Sequence, residues 1–441
     1  MVKGVGRRTA QCGGLCRLLI VCGIVLVFAH AAKAMTEQEI LAGANARIEQ
    51  HRKADAVVRF VTRDGKPIPQ ARVRVEQIRH AFLFGCNGFK LFGYTDPKME
   101  ATYETEYTNL FNYTTLGFYW GHYEPQPGKT RVADLEKQAR WYEKHGFQIK
   151  GHPLVWHEVY PRWAPADPDE TRKAEQARIT EIVSHFSGLI DRWDVVNEAT
   201  ASARWTNGVG SWIRRDGAAT AVSEALGWAH AANPKAFSLY NDYNLGADYE
   251  ALARRLVESK APVDAFGIQS HMHQNEWPIP RVWEVCETYA RFGKPLHFTE
   301  TTVLSGRHGW QLPSPWPSTA EGEAHQAEYV EKFYTVLFSH PAVQAITWWD
   351  FMDGQWMGAP AGLVRADLTP KPAYERLLKL VKGKWWTQAD LLSDVTGQAT
   401  FRGFPGRYSI TVESPQGKRT QEADVEPDGK SVIKITVEGR D

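Results

Sequence analysis

Residues 192–198 read RWDVVNE. A short apolar run closes on an amide and a carboxylate, groups that are out of place inside a buried strand but acceptable where the strand ends. The same design recurs along the chain. Strand candidates, each followed by an amphipathic stretch, lie at 81–86, 111–116, 148–156, 192–197, 236–241, 265–269, 296–300 and 345–351. Between them, segments such as 132–146, 170–186 and 325–338 space their apolar residues helically. Eight such units in ~300 residues are what a closed parallel (β/α)8 barrel, the TIM barrel, requires, and its connections put every strand's C-terminal end on one face. Any chemistry should collect there.

The flanks obey other periods. Thr36 to about Arg52 reads as a helix, and 57–75 alternates apolar and polar residues around Asp64-Gly65, which reads as a β-hairpin. Beyond Lys384, apolar runs at 401–404, 408–412 and 432–437, punctuated by Gly and Pro, suggest a small β-sandwich-like module. The hairpin either joins that module or caps the bottom of the barrel. The expected organisation is a signal peptide over 1–34, an N-terminal helix and hairpin over 35–78, the barrel over 79–383 and the β module over 384–441.

With 441 residues, 43% apolar and 23% charged, the chain is neither disordered nor fibrous. Its net charge of +1 makes no electrostatic case for nucleic acid. Lys3, Arg7, Arg8, Arg17 and Lys33 all fall in the first 34 residues, which hold no acid, so without that segment +1 becomes −4. Basic residues, an apolar run over 18–32 and Ala32-Lys33-Ala34 form the layout of a secretory signal peptide, and about 15 apolar residues fall short of the ~20 that span a bilayer. A mature chain starting at Met35, secreted or periplasmic and free of the membrane after cleavage, is the expectation. Cys12, Cys16 and Cys22 belong to the leader, while Cys86 and Cys286 read as small core residues, neither of them in a zinc-ligand spacing.

Polar groups gather at the strand ends: His152 and His157, Asn197 and Glu198, Asn241 and Asp242, Gln269 with His271 and His273, Glu300, and then Trp348, Trp349 and Asp353. Glu198 and Glu300 end the fourth and seventh strands, which face each other across the mouth. Glycoside hydrolysis needs such a pair, one carboxyl protonated to release the leaving oxygen and one ionised; at ~5 to 5.5 Å configuration is retained, at ~6.5 to 9.5 Å it inverts. Trp156, Trp163, Trp349 and Trp356 are candidates to stack on sugar faces, with Asn, Gln and His holding hydroxyls. The expected partner is a polysaccharide or oligosaccharide, with no cofactor and no metal. Two other classes fit parts of the pattern: a barrel metallohydrolase using His152, His157, His271 and His273, and a carbohydrate-binding barrel without turnover.

The motifs carry a family resemblance. IKGHPLVWHEVYPRW at 149–163, WDVVNE at 193–198, YNDYN at 240–244, GIQSH at 267–271, FTE at 298–300 and ITWWDFMD at 346–353 resemble, in order, the strands of glycoside hydrolase family 10 xylanases. The resemblance implies that Glu198 is the acid/base and Glu300 the nucleophile of a retaining double displacement. It implies that His271 orients Glu300, that Asn197, Gln269 and His152 hold hydroxyls at the cleavage point, and that Trp349 packs under the ring. Trp156 and Trp356 would complete the substrate contacts. The sequence also departs from the family. Thr115, Leu116 and Tyr119 stand where a Glu-Asn pair and a Lys bind the non-reducing side, Val159 where a Gln is common, and Thr302 where an Asp supports the His. Strand eight reads WWD in place of a Trp-Gly step, and Trp356 comes one residue early. The expectation is β-glycoside chemistry with a shifted glycone preference, and a loop over 304–320 lying across the same face.

Overall fold

In the computed structural model, which describes residues 35–310, 312 and 315–437, eight parallel strands close into a barrel. The stretch read as a signal peptide lies outside the described residues. In chain order the barrel strands are β3 (Leu83–Asn87), β4 (Tyr113–Gly117), β5 (Gln148–His152), β6 (Arg192–Asn197), β7 (Phe237–Asp242), β8 (Ala265–His271), β9 (Leu296–Thr302) and β10 (Val343–Trp348), and β10 pairs back on β3. All eight sit where the sequence pattern places them, within a few residues at each end. The strands are buried on both faces, β9 throughout its length, because helices cover the outside and side chains fill the lumen.

Local signals fix the helix starts. In Pro168–His185 the Asp167 carboxylate accepts from the Asp169 and Glu170 N–H groups (2.9 and 3.1 Å), and the proline supplies no orphan N–H. Thr36 and Glu39 form a reciprocal capping box on Glu37–Arg52. No helix among the described residues is long and apolar enough to cross a membrane.

The flanking segments form a sandwich, and here the expected hairpin needs correcting. The chain does turn at Asp64-Gly65, with Gly65 at φ 82° and Thr62 N–H donating to Lys66 O (2.9 Å). Beyond the turn, β1 (Ala54–Thr62) and β2 (Arg72–His80) separate into different sheets. One sheet has the order β12 (Gln398–Gly403), β1, β15 (Ser431–Val437); the other has β11 (Gln388–Leu392), β2, β13 (Gly406–Ser414), β14 (Gly417–Val425). Each of β1 and β2 carries one apolar face, and setting the two face to face buries both: Val58 and Phe60 meet the same core as Val73, Val75, Ile410 and Ile435. The N-terminal strands therefore join the C-terminal module.

That module sits against the N-terminal ends of the barrel strands. Phe404 and Trp385 pack on Phe338, with Trp385 stacked at 4.3 Å, and His80, Phe82 and Phe84 complete the cluster where β3 begins. From the first helix, Arg52 donates to the carbonyls of Phe338 (2.6 Å), His340 (2.5 Å) and Val343 (2.6 Å), closing the entry to β10. The large apolar residues exposed on the sandwich are Ile78, Leu392, Val395 and Val432, none aromatic. The module props the closed end of the barrel, opposite the mouth.

Candidate active site

At the mouth, Glu198 follows the last residue of β6 and takes a left-handed backbone (φ 57°, ψ 40°). A residue with a side chain enters that region at a cost of ~1–3 kcal/mol, so its surroundings must hold it. Its N–H donates to Asn241 O (2.8 Å), and its carbonyl accepts from the Ala201 N–H and the Ser202 hydroxyl (both 3.0 Å). The turn brings consecutive side chains together, and Asn197 Nδ2 donates to Glu198 Oε1 (3.0 Å). Gln269 Nε2 donates to the same oxygen (2.9 Å), and Trp156 Nε1 to Oε2 (3.0 Å). These donors are all neutral. Burial pushes the Glu198 carboxyl up to about 8, the amide of Gln269 opposing and the charge of Glu300 adding to the rise.

Glu300, near the end of β9, is as buried as Glu198 but differently surrounded. Its Oε1 accepts from Asn241 Nδ2 (2.8 Å) and lies 3.8 Å from His152 Nε2; its Oε2 is 3.0 Å from His271 Nε2. Burial alone would raise this carboxyl, yet His152, His271 and Lys150 together more than offset it and hold it below its ordinary value. Behind the site, Asp194 Oδ2 forms an ion pair with Lys150 Nζ (2.5 Å) and lies 2.8 Å from His152 Nδ1, a hydrogen bond that fixes the imidazole's orientation. On the other flank His271 Nδ1 lies 2.7 Å from Thr302 Oγ1. The single Thr302 proton goes to Trp349 O (2.9 Å), so His271 Nδ1 is the donor to Thr302. A hydroxyl thus supports the histidine where the family resemblance implies an aspartate.

Asn241 ties the halves together, since its amide donates to Asn197 Oδ1 as well as to Glu300 (2.8 Å each). Glycine at 267 makes room for it: a Cβ there would stand 2.4 Å from Asn241 Oδ1.

The structure brings the sequence-predicted set into one place. Glu198, Glu300, His152, Asn197, Gln269 and Trp349 are buried at strand ends, with Trp156, His271 and Trp356 half-buried beside them. Trp349 stands edge-on to His152 (5.3 Å), and Trp356 lies flat on His271 (4.7 Å, 7° between planes). The 304–320 loop reaches the same rim, where Gly309 N–H donates to His273 O (2.9 Å) and Trp310 packs on His273 (4.9 Å) while remaining exposed. Its other tryptophan, Trp316, is buried with Leu304, Ala359 and Ala361.

Thr115 and Leu116 are fully buried, Leu116 in the main core, and Tyr119 lies edge-on to His152 (5.4 Å) and tilted on Trp156 (5.5 Å). The histidine set of the metallohydrolase reading is engaged otherwise: His271 uses both nitrogens and His152 is bound to Asp194. Among the described residues the group with metal-ligand spacing is His157, Glu158 and Glu198. His157 is held by Ser202 (2.7 Å) and pushed down to about 4 by burial. Cys86 and Cys286 are both free and buried. Sequence reasoning singled out neither Lys150 nor Asp194, although a charge in the middle of each of two apolar strands was the available signal.

A parallel barrel whose mouth holds two buried carboxyls of opposite protonation preference is built for acid-base work on a glycosidic bond. The family model for glycosyl hydrolase family 10 matches residues 92–380, and the chain belongs to that family. Among curated proteins it is 27% identical over 388 residues to the anti-sigma-I factor RsgI6 of Acetivibrio thermocellus, covering 84% of this chain and 46% of that protein. It is 29% identical over 298 residues to endo-1,4-beta-xylanase B of Thermotoga neapolitana, covering 62% of this chain and 82% of the relative. The chain thus spans about half the length of the first relative and most of the second. Among solved structures, native xylanase 10B from Thermotoga maritima superposes with a TM-score of 0.59 at 26% identity, over 69% of this chain and 96% of that one.

Proposed function

We propose that this protein is a secreted, retaining β-glycoside hydrolase that cleaves β-1,4-xylan or a related plant cell-wall polysaccharide by double displacement. Glu300 attacks the anomeric carbon while Glu198 gives its proton to the departing oxygen, leaving a glycosyl ester on Glu300 and a free hydroxyl on the aglycone. Water then attacks the same carbon, Glu198 takes its proton, and the ester bond to Glu300 breaks. The observation that carries this reading is the split between the two carboxyls: Glu198 is held protonated by burial among neutral donors, Glu300 ionised among His152, His271 and Lys150. Similarity to xylanases supports xylan as substrate. The loss of polar groups at Thr115, Leu116 and Tyr119 favours a second reading for the glycone, a β-glycoside other than plain xylan.

The test is chemical. A 2-fluoro glycoside with a good leaving group should add one glycosyl mass to Glu300, and azide should restore turnover of an activated aryl glycoside by Glu198→Ala, giving a β-glycosyl azide. Label on another residue, or an α-configured azide, would refute the assignment. Export rests on the layout of residues 1–34; recovery outside the cytoplasm of a chain beginning at Met35 is the expected result.

A further inference from the structure

The mouth holds a third carboxyl that the double displacement does not use. Asp350 follows Trp349 just past β10, where the family resemblance leads one to expect glycine. It is 7% exposed, like Glu198 at 7% and Glu300 at 5%. On the adjoining strand, β3 ends in Asn87, whose Nδ2 donates to Asp350 Oδ1. No cation pairs with Asp350 among the described residues, and a neutral amide is its one protein donor. Burying a carboxylate against so little compensation is unfavourable, and the hydroxyls of a ligand would supply the missing donors.

The free acceptors point the same way. Asp350 Oδ2 and Asn87 Oδ1 receive no hydrogen bond from the described residues. They stand at the barrel mouth: Asn87 ends β3 and Asp350 comes just past the neighbouring β10, next to Trp349, whose ring is edge-on to His152 (5.3 Å) and whose carbonyl accepts from Thr302 (2.9 Å). Phe89, two residues after Asn87, is edge-on to Trp349 (5.3 Å) and to Tyr119 (6.1 Å). Two neighbouring acceptors suit the adjacent hydroxyls of a neutral pyranose.

We propose that Asp350, held by Asn87, is the glycone-selecting residue of this enzyme and accepts hydrogen bonds from two adjacent hydroxyls of an uncharged pyranose at the cleavage point or one unit beyond. This rests on the reading of Glu198 and Glu300 as a glycosidase pair. A lysine at the Tyr119 position would donate to sugar oxygens; Asp350 accepts from sugar hydroxyls. A hydroxyl can do either, so the reversal alone does not discriminate; the position of the acceptor past β10 decides which hydroxyls it meets.

The experiment compares wild type, Asp350→Ala, Asp350→Gly and Asp350→Asn on 4-nitrophenyl β-xyloside, β-glucoside, β-galactoside and β-xylobioside, then on monodeoxy forms of whichever the wild type cleaves best. For Asp350→Ala and Asp350→Gly, KM should rise at least about tenfold with kcat changed far less, as expected for the loss of charge-assisted hydrogen bonds. Removing either of two adjacent glycone hydroxyls should cost the wild type about tenfold in kcat/KM and Asp350→Ala almost nothing, with Asp350→Asn in between. Equal penalties in wild type and Asp350→Ala, or a variant that only melts at lower temperature, would show a loop brace and overturn the inference alone. A wild type that cleaves none of the panel would overturn the glycosidase reading, and the inference with it.

Discussion

Glu198 has to carry a proton to release a poor leaving group, so turnover should fall as pH rises through about 8. At one unit above that value about one site in ten keeps the proton, and kcat/KM for a phenyl glycoside should stand roughly tenfold below its plateau. Glu300 must be ionised and is held below its ordinary value, so the acid limb should lie lower than a free glutamate would place it. A 2,4-dinitrophenol leaving group needs no proton, and its alkaline limb should shrink or vanish. Two substitutions separate the causes of the rise. Trp156→Phe removes a donor that favours ionised Glu198 and should move the alkaline limb up; Asp242→Asn removes a neighbouring negative charge and should move it down. The assay is kcat/KM against pH for both leaving groups in three proteins. An alkaline limb identical for phenyl and dinitrophenyl substrates, or variants that shift it in the same direction, would refute the role given to Glu198.

Two further outcomes test the scaffold. Gly267→Ala drives a methyl into Asn241, so the amide linking Asn197 to Glu300 must move, and kcat should fall about tenfold or more with the thermal midpoint lowered much less. A variant with normal kcat would mean that Asn241 does not position the pair. Arg52→Ala strips three carbonyls of a charged donor at the closed end of the barrel, and should cost ~2–4 kcal/mol in urea unfolding while leaving kcat/KM unchanged. Lost activity at full stability would contradict the supporting role assigned to that end.

Much of this was legible because a barrel writes itself into sequence twice, once as alternating apolar strands and helices and once as polar groups at strand ends. RWDVVNE carries both signals. The sandwich was legible in part. The alternation in β1 and β2 shows that each strand has one buried face but not which surface covers it, so a local turn suggested a hairpin where the strands in fact enter opposite sheets. Strands β11 and β14 carry no clear apolar alternation, because QADLL has no buried residue and β14 turns most of GKRTQEADV to solvent. Distances, and with them the company each carboxyl keeps, come from strands far apart in sequence and needed the fold.

That company also explains how the departures leave the chemistry intact. Beyond burial itself, the groups that set the state of Glu198 are Gln269 on β8, Glu300 on β9, Trp156 after β5 and Asp242 on β7; those that set Glu300 are His152 and Lys150 on β5 and His271 on β8. None of them lies on β3, β4 or β10, the strands that carry Asn87, Thr115, Leu116 and the approach to Asp350. Changes on this second arc alter what a sugar touches without altering which carboxyl holds the proton. The arcs meet at Thr302, which joins His271 to the carbonyl of Trp349, the residue before Asp350. Thr302→Val should therefore disturb both, lowering kcat through His271 and raising KM through the β10 loop, whereas Asp350→Ala should raise KM alone. If Thr302→Val changed KM alone, the histidine would not depend on its hydroxyl, and the division between the arcs would have to be drawn elsewhere.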